Sequence, residues 1–263
     1  MEDKIRLGGM ALVNGVLVHG PHSWACAVRT DDGELKVASA YKTLRAAEVQ
    51  NPVLRGPARI AEIFALLPQV RRALPEARLP FLRPQVLAAM FGTAIVVRGI
   101  KESQRLTPLA RELLGGMLSL APAALALRGS DLAAYHGAEH ISIGSYEHDE
   151  PRAREHERCG SHLLGPLVAT TAVGMTLAQK APAHLRAPAR LAAQVGALAA
   201  STELFSWMTR HPDATLSRAL AKPGHELQHR FATAEPSPEQ LKVAEAALAA
   251  CLELEHAAAA GND

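Results

Sequence analysis

Two short segments constrain this chain more than any other part of it: Tyr135-His136-Gly137-Ala138-Glu139-His140 and His156-Glu157-Arg158-Cys159-Gly160. Helical residues three and four apart share a face, so a helix through the first segment sets His136 and His140 one turn apart with Glu139 beside them. A fold that lays the second segment against that face gathers imidazole, thiol and carboxylate around one point. Neutral imidazole and thiolate are the donors that a borderline-soft divalent ion prefers, and a carboxylate close by serves as a further ligand or as a general base. We therefore expect metal ligands among His136, His140, His156 and Cys159, with Glu139 as the catalytic base. Arg158, next to Cys159, favours the thiolate form that ligation needs. The plain alternative is chance spacing on a solvated helix, since the chain has 12 histidines. The second cluster is what tips the balance towards a metal.

The order His-x-x-Glu-His is also that of inverted zinc peptidases, in which the histidines hold zinc and the glutamate works on water. A glutamate on a later helix completes the zinc site in those enzymes. Glu203 lies in an otherwise apolar stretch, where an isolated carboxylate is costly unless it is paired or ligating. It is a candidate third ligand; pairing with Arg190 or Arg210 is the alternative. His225-Glu226-Leu227-Gln228-His229 has the zincin spacing, but so short a segment between Pro223-Gly224 and Phe231-Ala232-Thr233 reads as a fortuitous solvated pair. Neither a Gly-x-Ser-x-Gly elbow nor a dinucleotide-binding glycine pattern is present.

Composition narrows the class. Aromatic residues make up only 4% of a chain that is 48% apolar, so the core must be built from Ala, Leu and Val in close-packed helices. The formal charge of +2 carries no dense Lys/Arg block, which disfavours nucleic acid as a partner. Cys26, Cys159 and Cys251 are few and widely spaced, as in a reducing compartment. The segment Met1–Arg6 lacks a secretory apolar core, and a cytoplasmic location is expected. Four apolar stretches, Val86–Val97, Leu113–Leu127, Leu163–Ala178 and Leu191–Met208, are short or interrupted by Gln194 and Glu203 against the roughly 18 to 20 residues that cross a bilayer. They pair as two helical hairpins, Pro84–Leu127 and Leu163–Met208. A membrane-associated protein facing the cytoplasm is the alternative location.

Along the chain, residues 1–45 read as β-rich and 56–257 as helical, together forming one domain. Ala11-Leu12-Val13 and Val16-Leu17-Val18 flank Asn14-Gly15, a two-residue hairpin signal. Trp24–Arg29 and Glu34–Ala38 form a second hairpin around Asp31-Asp32-Gly33. A helix over Arg59–Leu74 is expected to break or kink at Pro68. Ser130 or Asp131 caps the histidine helix, and Gly144–Pro151 reads as a loop. Ser237-Pro238-Glu239-Gln240 opens the last helix with a capping box. The fold class is α+β and predominantly helical: a small N-terminal antiparallel sheet followed by helical hairpins around a His/Cys cluster.

Taken together these blocks resemble the YqhQ-like family, a bacterial group catalogued as domain-of-unknown-function family 1385 and labelled predicted metal-dependent enzymes. The resemblance runs through Gly8-Gly9-Met10-Ala11, Asn14-Gly15-Val16 and Gly20-Pro21, then Pro52-Val53-Leu54-Arg55-Gly56 and Tyr135–His140. It continues through His156, Arg158, Cys159, Gly160 and Ser161, and through Pro223-Gly224, Leu227-Gln228, Thr233, Glu235-Pro236 and Gln240. Glu157 stands where the family has proline, Ile141 where lysine is usual and Met10 where glutamine is frequent. The resemblance implies a metal-dependent enzyme, and family members with longer apolar segments look membrane-embedded. The function expected is a metal-assisted hydrolase of a small-molecule or peptide substrate, with zinc as first choice and iron, in a two-histidine-one-carboxylate triad, as second. The alternative is a non-catalytic scaffold or membrane-associated partner stapled by structural zinc, with His136, His140, His156 and Cys159 saturating the ion.

Overall fold

A computed structural model describes residues 4–80, 83–127 and 130–260. Strands β1 (Gly8–Leu12), β2 (Gly15–His19), β3 (Ser23–Arg29) and β4 (Leu35–Tyr41) form an antiparallel meander in the order β1-β2-β3-β4. The second hairpin turns at Gly33, whose φ of 85° is a conformation open to glycine. The first turn differs from expectation. Leu12 pairs with Gly15, so the loop is Val13-Asn14, and neither Asn14 nor Gly15 has positive φ. Gly15 is needed for contact, because a Cβ there would lie 2.1 Å from the Ala27 carbonyl oxygen. Asn14 works as a buried staple: its amide donates to the carbonyls of Arg29 and Glu76 and its oxygen accepts the Arg78 N–H.

Period-two alternation gives the sheet two apolar faces. On one face Leu12, Leu17, Trp24, Cys26 and Val28 pack against Leu66, Val70 and Leu74 of α1 (Pro52–Ala73) and of the turn that follows it. On the other, Ala11, Val16, Val18, Ala25 and Ala27 pack against Tyr135 and Ala138 of α5 (Asp131–His148) and Val243, Ala247 and Cys251 of α9 (Pro238–Ala260). The small side chains of that second face let two helices sit close to the sheet. Helix α9 begins as its sequence requires: Gln240 N–H donates to the Ser237 hydroxyl, and the Gln240 side chain accepts the Ser237 N–H.

Helix α1 starts earlier than expected, at Pro52, because the Asn51 side chain accepts the Val53 N–H, and it runs through both Pro57 and Pro68. The first hairpin comprises α2 (Pro84–Glu102), α3 (Pro108–Leu118) and α4 (Ala121–Leu127). The second comprises α6 (Leu164–Ala178) and α7 (Arg186–Arg210), followed by α8 (Thr215–Leu227). By length and composition Pro108–Leu127 and Gly160–Ala178 could each cross a membrane, and less than a third of either apolar window is covered by the rest of the chain. Phe91, Ile95, Met117, Leu177 and Leu191 are among the large side chains left exposed on these hairpins.

The histidine helix also departs from expectation. Gly144–His148 is helical, and α5 stops only at Asp149, which takes the left-handed conformation with φ of 56°. Ser130 occupies the N-cap position, yet its hydroxyl turns back to the carbonyls of Ala126 and Leu127. The extra turn carries Glu147 onto the face that bears His140.

Candidate metal centre

Helix α5 presents His136, Glu139 and His140 towards the loop 152–160. Two close approaches make this possible. A Cβ at Gly137 would sit 2.2 Å from the Ala234 carbonyl oxygen, so only glycine admits the 232–234 segment across the helix there. A Cβ at Gly9 would fall 2.4 Å from Glu139 Oε1, so strand β1 leaves the space that this carboxylate occupies.

The two imidazoles are held alike. His136 Nδ1 lies 2.8 Å from the Ala232 carbonyl oxygen and His140 Nδ1 lies 2.6 Å from that of Arg154. A carbonyl oxygen only accepts, so each Nδ1 carries the hydrogen, and in the neutral ring each Nε2 is left with its lone pair. Such outer partners are what orient ligating histidines in metal sites. His140 is 2% exposed, and its Nε2 is enclosed with no hydrogen-bond partner. Burial, the largest influence, holds its pKa below the ordinary histidine value, which keeps the ring in the ligating form.

Cys159 completes the group. Its sulfur lies 3.5 Å from His136 Nε2 and accepts the Ser161 N–H at the head of a short 3-10 turn, Gly160–Leu163, that leads into α6. Ligand atoms of His136, His140 and Cys159 all fall within 4.8 Å of one another. An enclosed, unpartnered imidazole nitrogen beside a second one and a sulfur is a donor set that fits a divalent metal. Among the described residues, no other three His, Cys, Asp or Glu side chains gather in this way.

Glu139 stands beside the trio. Its Oε2 is 4.0 Å from His136 Nε2, and burial raises its pKa against the opposing pull of His136 and His156. His156 is adjacent but outside the trio, with its ring centroid 5.5 Å from that of His140. Glu203 is not brought to this group: it lies on α7 and its carboxylate forks onto Arg55 of α1, a partner other than Arg190 or Arg210. Gly56, the neighbour of Arg55, lets α1 and α7 cross at Thr202. Arg158 does not attend Cys159 as expected, since its guanidinium goes to Glu147 at 2.5 Å. His225 and His229 stack on α8 and the turn after it, with His229 paired to Glu155 and Glu226 to Arg230.

Gln228 was visible in the sequence only as part of a motif, and its task is structural. It is fully buried. Its oxygen accepts the His156 N–H at 2.9 Å, and its amide donates to the His156 carbonyl at 3.3 Å and to the Ser161 hydroxyl at 2.7 Å. One side chain thus pins both ends of the loop that carries Cys159. Gln228 opens a π-helical turn, Gln228–Ala232, whose last carbonyl is the one that holds His136. Wide turns of this kind are frequent at functional sites.

The model of one protein family, described as Protein of unknown function (DUF1385), matches residues 130–254. Over that span, just under half of the chain, the sequence is similar to this family. The DUF1385 region begins at the N-cap of α5 and ends within α9, so it contains the His/Cys trio, Glu139, Glu147, His156 and Gln228. No curated protein and no solved structure matches the chain.

Proposed function

We propose that the DUF1385 region is a zinc-dependent hydrolase centre in which His136, His140 and Cys159 hold the ion and Glu139 is the general base. The observation that carries this reading is the pair of imidazoles whose tautomers are set by the carbonyls of Ala232 and Arg154, with both Nε2 atoms turned to one sulfur. The thiol favours zinc over iron, because the iron triad needs a carboxylate in the place that Cys159 takes. Bound there, zinc would supply Lewis acidity towards a carbonyl or phosphoryl oxygen and acidify water.

Glu139 takes the proton of the attacking water and returns it to the leaving group. Burial raises the pKa of this carboxylate, which makes it a stronger base than a solvated glutamate. Glu139→Gln is expected to keep the zinc content, measured by metal mass spectrometry, while hydrolysis of a panel of chromogenic ester, phosphoester and amide substrates falls by roughly 10²- to 10⁴-fold. Release of the metal by that substitution would remove Glu139 from the role of base. A wild-type protein that holds zinc but hydrolyses nothing in the panel would favour the structural-zinc scaffold.

We also place the protein on the cytoplasmic face of a membrane, with the α2–α3 and α6–α7 hairpins against lipid. The support is that Phe91, Ile95, Met117, Leu177 and Leu191 stand exposed on these helices, and that Pro108–Leu127 and Gly160–Ala178 are long and apolar enough to cross a bilayer. The protein should float with phospholipid vesicles on a density gradient, and Phe91→Asp with Ile95→Asp should abolish flotation. Protein that stays at the bottom of the gradient with and without vesicles would remove this part of the reading.

A further inference from the structure

The second hairpin sets the candidate centre at one end of an apolar layer. Cys159 leads through the turn Gly160–Leu163 straight into α6, and no charged side chain occurs between His162 and Lys180. Helix α7 runs antiparallel to α6: Thr170 Oγ1 donates to the Ala197 carbonyl at 3.0 Å, and a Cβ at Gly174 would lie 3.3 Å from the carbonyl oxygen of Ala193. Extended along both helices, this register sets Glu203 level with Leu164 and Trp207 level with Gly160. Helix α7 is itself uncharged from Leu191 to Thr202. The apolar band of the hairpin therefore ends at the level of the His/Cys trio. Glu203, paired with Arg55, and Trp207, stacked on His211, mark that end. A tryptophan and charged groups at the edge of an apolar band are what a helix presents at a membrane–water interface.

Helix α8 lies over the same end. A Cβ at Gly165 would sit 2.6 Å from the Leu220 carbonyl oxygen, and one at Gly224 would sit 2.6 Å from that of Ser161. The backbones thus touch from the head of α6 back to the turn that follows Cys159. Positions 218, 222 and 225 share a helix face, and Arg218, Lys222 and His225 are all exposed. Glu226 is taken by Arg230, whereas Arg218 and Lys222 have no carboxylate partner among the described residues. Two unpaired cations and a histidine accordingly border the trio where the apolar band stops. A substrate free in water has no use for that alignment; a lipid uses both halves of it, and fixed positive charge at the interface favours a phosphate-bearing one.

We infer that the substrate of the proposed hydrolase is a phosphoester of a membrane lipid, taken at headgroup level with its chains along α6 and α7 and its phosphate towards Arg218 and Lys222. The inference rests on the hydrolase and lipid-contact readings above. The oxygen of water bonds to phosphorus, the P–O bond to the leaving alcohol breaks, and the proton that Glu139 takes from the water passes to the departing oxygen.

The test uses the zinc-loaded full chain and two probes with the same scissile bond. One is 4-methylumbelliferyl octadecyl phosphate held in phosphatidylcholine vesicles, and the other is the methyl analogue in solution; both release the same fluorophore. The vesicle probe should be hydrolysed at least about tenfold faster, because the chain supplies binding energy remote from the reacting bond. Arg218→Ala with Lys222→Ala should lower the vesicle rate by roughly 10- to 30-fold with zinc content unchanged. Arg218→Lys with Lys222→Arg, which keeps both charges, should restore most of it. Equal or faster hydrolysis of the soluble analogue would overturn the proposal and leave the hydrolase reading intact. Flotation with vesicles but no hydrolysis of the lipid probe would overturn it and leave the membrane contact intact. A charge-conserving variant as slow as the alanine pair, or an alanine pair as fast as wild type, would remove the phosphate-recognising role of α8 and with it the proposed substrate class. Zinc-loaded protein that hydrolyses neither probe would overturn the proposal together with the hydrolase reading.

Discussion

Glu62→Gln is expected to cost about 3–5 kcal/mol of folding free energy, the largest stability effect of any single change considered for this protein. Glu62 Oε2 pairs with Lys42 Nζ at 2.9 Å, and the two side chains are 6% and 1% exposed. Lys42 also donates to His19 Nδ1 at 3.1 Å, and the other Glu62 oxygen accepts the Ala46 N–H at 2.8 Å. Neutralising the carboxylate leaves an ammonium group enclosed between α1 and the sheet with a neutral imidazole as its main partner. For a chain of this size the loss corresponds to a fall in Tm of roughly 6–20 °C, measurable by calorimetry. Lys42→Met combined with Glu62→Leu should recover most of it, since well-packed apolar side chains replace buried ion pairs at little cost. A Tm for Glu62→Gln within a degree or two of wild type would show that the pair is solvated.

The same cluster makes stability depend on pH. Burial first, and then the charge of Lys42, push the His19 pKa down from 6.5 to about 4. Between these values the unfolded chain binds a proton that the folded chain refuses. Stability is therefore full above pH 6.5 and lost as the pH falls towards 4, by at most about 1.4 kcal/mol per pH unit from this residue. His19→Gln should flatten the slope of Tm against pH over that window.

The second large effect belongs to the site. His140→Ala should weaken zinc binding by at least about 100-fold, because it removes a donor that is already desolvated and oriented rather than an outer partner. Zinc-free protein should lose a smaller amount, about 1–3 kcal/mol, from the unmet Arg154 carbonyl. The diagnostic is the gap between melting curves recorded with zinc and with a chelator. A ligand present at about 100 times its Kd stabilises by about 2.7 kcal/mol, and in His140→Ala this gap should close. A gap that persists would place the metal elsewhere in the protein.

Local spacing made part of this arrangement legible. His136, Glu139 and His140 share a helix face by periodicity alone, the Ser237–Gln240 capping box is written in four residues, and Asp31-Asp32-Gly33 announces its turn. What escaped depends on contacts distant in sequence. Glu147 was hidden because Gly144 reads as the end of a helix, whereas it is a point of close contact with Arg152 and His156 inside one. Glu203 has the profile of a buried ligand until α1 supplies Arg55. Asn14-Gly15 has the composition of a turn centre, but the side chain of Asn14 is spent on three long-range hydrogen bonds and Gly15 opens a strand.

The π-helical turn at Gln228–Ala232 carries a further implication, one of order in time. Ribosomal synthesis releases the histidine helix and the Cys159 loop well before residue 228, and until then the His136 Nδ1–H lacks its Ala232 carbonyl and the loop lacks the Gln228 clamp on His156 and Ser161. A nascent chain therefore carries the donors without the scaffold that aims them. The His/Cys group is fully aimed only when the segment from Gln228 onward has docked, and a product truncated before Gln228 would be a chain with a loose His136 and a loosely held Cys159 loop.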